Sequence, residues 1–402
     1  MSNNKILFKH LFNSRGDDWR RLRSILSPTF TSGKMRKMYP MVRECLNDLL
    51  DQLDVCAVNG NDINLKDMMG NYTMDVIARC AFATKTNAHK DPNNPFVTNA
   101  KKIFSFPFFR ILLIILLPKT VRKVFGINTI DDNVNQFFFD ITKQVIQQRK
   151  SSKDSHKTYN DFIKLLVDAE YQKEELMDEK DISESYHVNE EMDSKPLTRN
   201  LLSIDSSNKR LSDYEIQAQG WVFFVAGYET TATTLSFCSY QLALNPHIQD
   251  RLYEEVEGVV DSDGEIKYDE LVKLPLLDAI LSETLRLYPP LVRLTRKSKS
   301  DYMLGDTGIQ LYGGQDIKIP VYAIHHSEEF YPNADKFDPD RFMPHNRHNI
   351  NPYIYLPFGA GPRHCIGMRF ALMEAKLAVP LKFKTITRIC AAEKVVVGIE
   401  KR

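Results

Sequence analysis

Apolar positions recur at intervals of three and four along most of this chain, a pattern that predicts a largely helical protein. Met35, Met38, Val42, Leu46, Leu49 and Leu53 give one apolar face to a helix from about Lys34 to Leu53. A further helix is predicted from about Leu65 to Ala81, and Pro92 and Pro95 act as stops in the break from Asn87 to Pro95. Val134, Phe137, Phe138, Ile141 and Val145 build an amphipathic helix over Asp132 to Gln148, with a short one following around Phe162 to Glu170. Asp17 and Asp18 are placed to cap a helix that carries Trp19 to Leu26 and is closed by Pro28. The long, mostly apolar stretch from Leu211 to about Leu244 predicts a central buried helix, with Ser212 and Glu215 spaced as a capping box. Asn245-Pro246 ends it and opens the next helix, Asn as cap and Pro at the first position. Pro275 to Tyr288 forms another, closed by Pro289-Pro290. Val292 to Pro320 holds short polar strands and the turn signal Gly313-Gly314. With few strands, no βαβ rhythm and no internal repeat, the expected fold class is mainly α with a small β-sheet.

Composition narrows this little. The chain has 402 residues, 43% hydrophobic and 26% charged, which is ordinary for a folded chain of one to three domains. A formal net charge of +1 argues against a nucleic-acid partner. Cys45, Cys56, Cys80, Cys238, Cys365 and Cys390 form no CxxC pair, so neither a zinc ribbon nor a disulfide scaffold is indicated, and a reducing compartment fits. No signal peptide or membrane span is readable. The most apolar segment, Ile103 to Pro118, is interrupted by Arg110. It reads either as a buried or half-buried helix, or as a surface element dipping into a membrane interface while Lys119, Arg122 and Lys123 meet anionic headgroups. Tyr171 to Asn200 is acidic and aperiodic, which suits a mobile surface connection rather than a domain boundary, so 1–402 is expected to be one domain.

Candidate chemistry changes the picture more. The run Phe358-Gly-Ala-Gly-Pro-Arg-His-Cys-Ile-Gly367 sets Cys365 in a Gly/Pro-rich loop directly ahead of an apolar, helix-forming run, Met368 to Val379. Backbone N–H groups and the helix dipole favour negative charge there, which makes Cys365 a candidate thiolate. A thiolate takes a soft metal or an electrophile, and haem iron is one such metal. Glu283 and Arg286 sit three apart and can pair on one helix face; alone they read as a surface ion pair, but Ile280, Leu281, Leu285 and Leu287 surround them. Trp19 and Arg23, four apart, share a face, which alone reads as a core tryptophan beside a surface arginine. Ala226-Gly-Tyr-Glu-Thr-Thr231 is expected to interrupt the central helix, with Thr230 diverting a backbone carbonyl. His364 beside Cys365, with His325-His326, matches no zinc spacing.

Phe358, Gly361, Arg363, Cys365 and Gly367 fill every fixed position of FxxGxRxCxG, and this closely resembles the haem-binding signature of the cytochrome P-450 family. Four further elements of that family occur upstream in its order, and the resemblance covers nearly the whole chain from Asp17 onward. WRRLRSILSPTFTSGKM, FVAGYETT, SETLRLYPP and NPYIYLPFGAGPRHCIGMRFALMEAKLAV look most like the animal microsomal clan that includes xenobiotic-oxidising and thromboxane-synthase members. The resemblance implies a haem (heme) cofactor with Cys365 as axial iron ligand, and haem contacts from Phe358, Gly367 and Ala226. It assigns Trp19, Arg23, Arg296 and Arg363 to the haem propionates. Glu229 and Thr230 look like the family's proton-relaying acid–alcohol pair. Glu283, Arg286 and Arg341 look like its buried network bracing the cysteine loop, and Leu291, Val292, Leu294, Phe224 and Val225 like lining of an apolar substrate pocket.

The implied activity is a monooxygenase that inserts one oxygen atom from O2 into a lipophilic small molecule. Its electrons would come from an NADPH-dependent flavoprotein reductase. The implied place is the cytoplasmic face of the endoplasmic reticulum membrane, by peripheral contact. A haem-binding but inactive truncated product and a reductase-independent peroxide isomerase are the alternatives; the Glu229-Thr230 pair favours the monooxygenase over the isomerase. Two departures set the fold expectation at an incomplete P-450 fold. Family members carry roughly 100 further residues ahead of the Trp19 helix, with the core area that they would bury. In similar proteins the helix after the cysteine continues for several turns, whereas here Pro380-Leu-Lys-Phe383 follows at once, as if a segment had been cut out.

Overall fold

The computed structural model describes residues 6–60, 62–91, 93–104, 116, 131–151, 161–168, 210–380 and 396–397. Helix α1 (Gly16–Leu26) has Arg15 as its N-cap residue. Asp17 and Asp18, expected as caps, lie instead in the first turn, where their charge complements the helix dipole. Helix α2 (Ser32–Asn59) extends beyond the predicted end at Leu53 and stops at Gly60, whose φ of 63° suits glycine. Met35, Met38, Val42, Leu49 and Leu53 are buried as the period implies, while Leu46 is half-buried. Pro40 stands inside this helix on its exposed side, where water can take the carbonyl that it leaves unpaired.

Strand β1 (Ile63–Asn64) leads into α3 (Leu65–Phe82), which Asn64 caps by accepting from the Asp67 N–H. Pro95, expected as a stop, opens α4 (Pro95–Phe104), because a proline in the first turn lacks only an N–H that has no helical partner. The Asn94 side chain accepts from the Phe96 N–H at 3.0 Å at that end. Helices α5 (Asp132–Ser151) and α6 (Phe162–Asp168) are joined by a buried ion pair, Arg149–Asp161, at 2.9 Å.

Helix α7 (Asp213–Leu244) has the full capping box of Ser212 and Glu215. It runs unbroken through Ala226–Thr231, so the expected interruption does not occur. The Thr230 hydroxyl donates to the Ala226 carbonyl at 2.6 Å, which adds to the helical bonding without breaking it. Gly227 serves close packing: a Cβ there would lie 2.3 Å from Ile77 Cδ1 of α3. The Thr73 hydroxyl of α3 donates to the Tyr228 carbonyl at 3.1 Å across the same crossing. Helix α8 (Pro246–Glu257) starts with proline as predicted, but Asn245 makes no side-chain cap; its amide donates back to Gln241 O at 2.8 Å and closes α7 instead.

Helices α9 (Tyr268–Leu271) and α10 (Pro275–Leu287) follow, then β2 (Leu294–Lys297), β3 (Tyr302–Met303), β4 (Gln310–Leu311), β5 (Asp316–Ile319), α11 (Val321–His325), α12 (Met368–Ala378) and β6 (Val396–Val397). Among the described residues the strands form three antiparallel ladders, β1 with β6, β2 with β5 and β3 with β4. Helix α7 is central and packs on α3, α5, α10 and α12. Phe224 of α7 stacks on Phe82 at 4.2 Å between ring centroids and meets Phe138 at 4.7 Å. Aromatic pairs at such distances add to the burial term that holds these helices together.

The apolar stretch 105–115 and residues 117–130, including Lys119, Arg122 and Lys123, lie outside the described residues, as do the acidic connection 171–200 and the segment 381–395 after Pro380. Among the described residues no helix is long and apolar enough to cross a membrane.

Candidate functional site

Two glycines with positive φ, Gly359 at 73° and Gly361 at 74°, shape the loop that carries Cys365. These angles are open to glycine and strained for other residues. The Cys365 N–H donates to the Phe358 carbonyl at 2.8 Å, and the His364 N–H to Gly361 O at 2.9 Å, closing the loop on itself. Gly367 is the N-cap residue of α12, and the Ala371 N–H donates to its carbonyl at 2.9 Å. Cys365 is exposed, between the buried Leu356 and Pro357 on one side and the buried Met368 on the other.

Cations gather around this loop. The Arg363 guanidinium lies 4.4 Å over the Trp19 ring and donates to Ser14 O at 2.9 Å. Arg296, on β2, donates to Ala360 O at 3.3 Å, and Arg23, buried on α1, donates to His364 O at 3.0 Å. Burial, then the like charges of Arg296 and Arg15, push the Arg363 pKa down, and burial does the same to Arg296. Among the described residues neither Arg296 nor Arg363 forms an ion pair with a carboxylate. A cluster of guanidiniums repelling one another is suited to an anionic ligand that offers carboxylates.

On α7, Ala226 is exposed although Phe224 and Tyr228 beside it are buried, so the central helix presents an open face at this turn. Thr230 follows by one turn with its hydroxyl on Ala226 O. Glu229 does not stand alone: Lys66 of α3 pairs with it. Phe224, expected to line the substrate pocket, is instead core, 1% exposed against Phe82 and Phe138. Val225 and Leu294 are half-buried, and Leu291 and Val292 are exposed.

The Glu283–Arg286 pair is not a surface ion pair, because both side chains have no solvent exposure. Arg286 Nε and Nη2 donate to the two Glu283 oxygens at 2.7 Å each, and the Asp338 N–H donates to Glu283 Oε1 at 2.9 Å. Burial pushes the Glu283 pKa up, and Arg286 and the Asp338 N–H pull against it. Arg341 is the third member at the edge of the pair, with Nε 3.5 Å from Glu283 Oε1 and Nη2 donating to Asn333 O. The link from this pair to the cysteine loop runs through His325. Its Nδ1–H donates to Arg286 O at 3.0 Å, and its Nε2 accepts the Leu356 N–H at 2.9 Å. Burial lowers the His325 pKa to about 4, which keeps the ring neutral for both bonds. Among the described residues no group of histidines, cysteines and carboxylates is arranged to hold a metal ion.

Sequence reasoning missed His325 as a strut, Lys66 as the partner of Glu229, and the wholly buried Glu374 of α12, whose pKa burial drives well above the carboxylate range. Only the odd occurrence of a carboxylate and Lys376 inside the apolar run of α12 hinted at buried charge; Lys376 pairs with Asp278 at 2.8 Å.

An exposed cysteine on a glycine-shaped loop, a cluster of guanidiniums beside it and an open small-residue turn on the central helix fit a flat dianionic macrocycle taken by its metal, the chemistry of a haem-thiolate protein. Comparison with known proteins agrees. The family model Cytochrome P450 matches residues 2–189 and 181–385. Cytochrome P450 3A12 of the dog (Canis lupus familiaris) is 36% identical over 370 residues, covering 91% of this chain and 67% of the relative. Cytochrome P450 3A11 of the mouse (Mus musculus) is 36% identical over 378 residues, covering 93% and 68%, and cytochrome P450 3A28 of cattle (Bos taurus) 36% over 369 residues, covering 90% and 66%. The chain belongs to the cytochrome P450 family, haem-thiolate oxidoreductases of the monooxygenase type. It spans about two thirds of the length of these curated relatives.

Proposed function

We propose that this chain is a single cytochrome P450 domain, 1–402, that inserts one oxygen atom of O2 into a lipophilic small molecule, with electrons from NADPH delivered by a flavoprotein reductase. The observation that carries the reading is Cys365, exposed at the tip of a loop whose two positive-φ glycines and Phe358 carbonyl fix it ahead of α12. Thiolate-held haem supplies an iron centre at which dioxygen is activated. Cys365 would hold the iron through its sulfur. Arg23, Arg296 and Arg363, with the Trp19 indole N–H, would hold the propionates, and Phe358, Gly367 and Ala226 would contact the macrocycle.

Thr230 holds a hydroxyl one turn from the open Ala226 position, where it can pass a proton toward the oxygen side. Glu229 is its acidic partner, and Lys66 must release that carboxylate before it takes part. Glu283 and Arg286, with Arg341 at their edge, brace the loop through His325 and Leu356. The place of work is the cytoplasmic face of the endoplasmic reticulum, by peripheral membrane contact. The test is Cys365→Ala in the full chain: loss of the thiolate-type spectrum of the reduced carbon-monoxide complex is expected, and an unchanged spectrum rejects the ligand.

A further inference from the structure

One side chain of the cysteine loop makes contacts that the function above does not use. His364 stands immediately before Cys365 and is half-buried. Its Nδ1 lies 2.9 Å from the Gly361 carbonyl, and its Nε2 lies 2.7 Å from Nη2 of Arg23. A carbonyl only accepts and a guanidinium only donates, so both contacts require the same tautomer: Nδ1–H donating to Gly361 and a bare Nε2 accepting from Arg23. Arg23 uses its other terminal nitrogen, Nη1, on the His364 carbonyl at 3.0 Å. One arginine from α1 thus grips one residue of the loop twice, through its backbone and its ring, and that ring is tied back to the positive-φ Gly361.

We propose that His364 is a positioning residue: its ring, accepting through Nε2, fixes the Arg23 guanidinium against the cysteine loop, so that the cation offered to a haem propionate and the loop presenting the thiolate are held as one unit. The proposal rests on the reading that Cys365 and Arg23 hold the haem. A guanidinium spends rotamer freedom when it binds an anion, and a side chain already fixed by two acceptors has lost most of that freedom beforehand. Removing the ring acceptor takes away one of the two bonds by which Arg23 holds His364, so the guanidinium is fixed less firmly toward the propionate. The affected quantities are therefore haem retention and the reduction potential of the iron, which responds to how a nearby charge is held.

The experiment uses the haem-loaded full chain and three variants. His364→Phe and His364→Leu, two side chains of different shape, remove the acceptor, and His364→Gln restores an acceptor toward Arg23. Haem transfer from the ferric protein to apomyoglobin and the reduction potential are measured, with the reduced carbon-monoxide spectrum recorded for each. Both acceptor-free variants should keep the thiolate-type spectrum, release haem about tenfold faster, as for loss of one hydrogen bond to a charged group, and show a shifted potential. His364→Gln should lie near the parent. In an Arg23→Gln background His364→Phe should add nothing. Parent-like haem release and potential in His364→Phe or His364→Leu overturn the proposal while the haem-thiolate reading stands. The same holds if His364→Gln is as perturbed as the others, or if the two sites act additively. A parent chain without a thiolate-type spectrum overturns both.

Discussion

Glu283→Gln isolates the charge on the buried carboxylate with little change in volume. The amide oxygen can still accept the Asp338 N–H, now 2.9 Å from Glu283 Oε1. What is lost is the negative charge that takes two parallel bonds from Arg286 at 2.7 Å. Arg286 has no solvent exposure, so water cannot replace that charge; its remaining acceptors are the carbonyls of His325 at 2.8 Å and Lys336 at 3.2 Å. Breaking one side of such a buried pair costs about 3–5 kcal/mol, whereas an exposed pair would cost about 0.2–1 kcal/mol. Against a total stability of about 5–15 kcal/mol for a typical domain, the larger figure is between about a third and the whole of the margin. Arg341→Ala is the internal comparison. Its guanidinium is 14% exposed and 3.5 Å from the carboxylate, so its loss should cost clearly less. Urea unfolding of the purified full chain, followed by circular dichroism, gives both differences, and haem content per chain gives the consequence for the cysteine loop. A Glu283→Gln loss under about 1 kcal/mol, with parent-like haem content, would refute the argument that this pair braces the loop.

The remaining predictions concern the helix crossing, the histidine strut and the relay. Gly227→Ala puts a Cβ 2.3 Å from Ile77 Cδ1 and should cost about 1–3 kcal/mol by overpacking; adding Ile77→Ala should recover part of that loss in thermal unfolding, and strict additivity would show that the two do not meet. His325 is lowered from 6.5 to about 4 by burial, so between these values the unfolded chain binds a proton that the folded chain does not. Stability then rises with pH through that window and is lost as pH falls, by about 3 kcal/mol from this residue; His325→Gln should flatten the pH dependence of urea unfolding by that amount, and an unchanged slope would contradict a neutral buried ring. Thr230→Ala should keep haem and substrate binding but lower the yield of product per NADPH consumed, with the difference appearing as hydrogen peroxide; equal coupling removes Thr230 from the relay.

Helix positions were legible in the sequence because burial imposes a period that apolar residues must follow. Met35, Met38, Val42, Leu49 and Leu53 lie where the period put them, and the capping box at Ser212 and Glu215 forms as its spacing implied. The failures fall where one residue type serves two geometries. Pro95 reads equally as a stop or a first-turn residue, and what decides is Asn94, whose side chain holds the Phe96 N–H. A glycine within Ala226–Thr231 reads as a break or as a close contact, and what decides is Ile77, 150 residues away on α3. Phe224 and Phe223 are adjacent on one apolar helix; Phe82, Phe96 and Phe138 claim Phe224 for the core, and no local pattern announces them.

The candidate site divides along the same line, between side chains paired at helical spacing and side chains held by distant backbone. Glu283 and Arg286 are three apart, so their pairing is readable; that both are wholly buried follows only once His325, Lys336 and Asp338 close over them. His325 gave no sign of its role, since its two partners are a carbonyl 39 residues before it and an N–H 31 residues after it, and backbone groups carry no identity in a sequence. A series of hydrogen bonds leads from the pair to the cysteine loop. Arg286 fixes His325 through its own carbonyl, His325 fixes Leu356 through the ring, and Leu356 O receives the Gly359 N–H at 3.0 Å at the start of the turn that presents Cys365. On the opposite side of the cysteine, Arg23 grips His364 across 341 residues of sequence. Cys365 is thus held from both ends by polar struts that reach it through backbone groups. The division of labour is then physical: the two positive-φ glycines supply the shape of the loop, and two buried cations, Arg286 and Arg23, supply the hydrogen bonds that tie its ends to the helices.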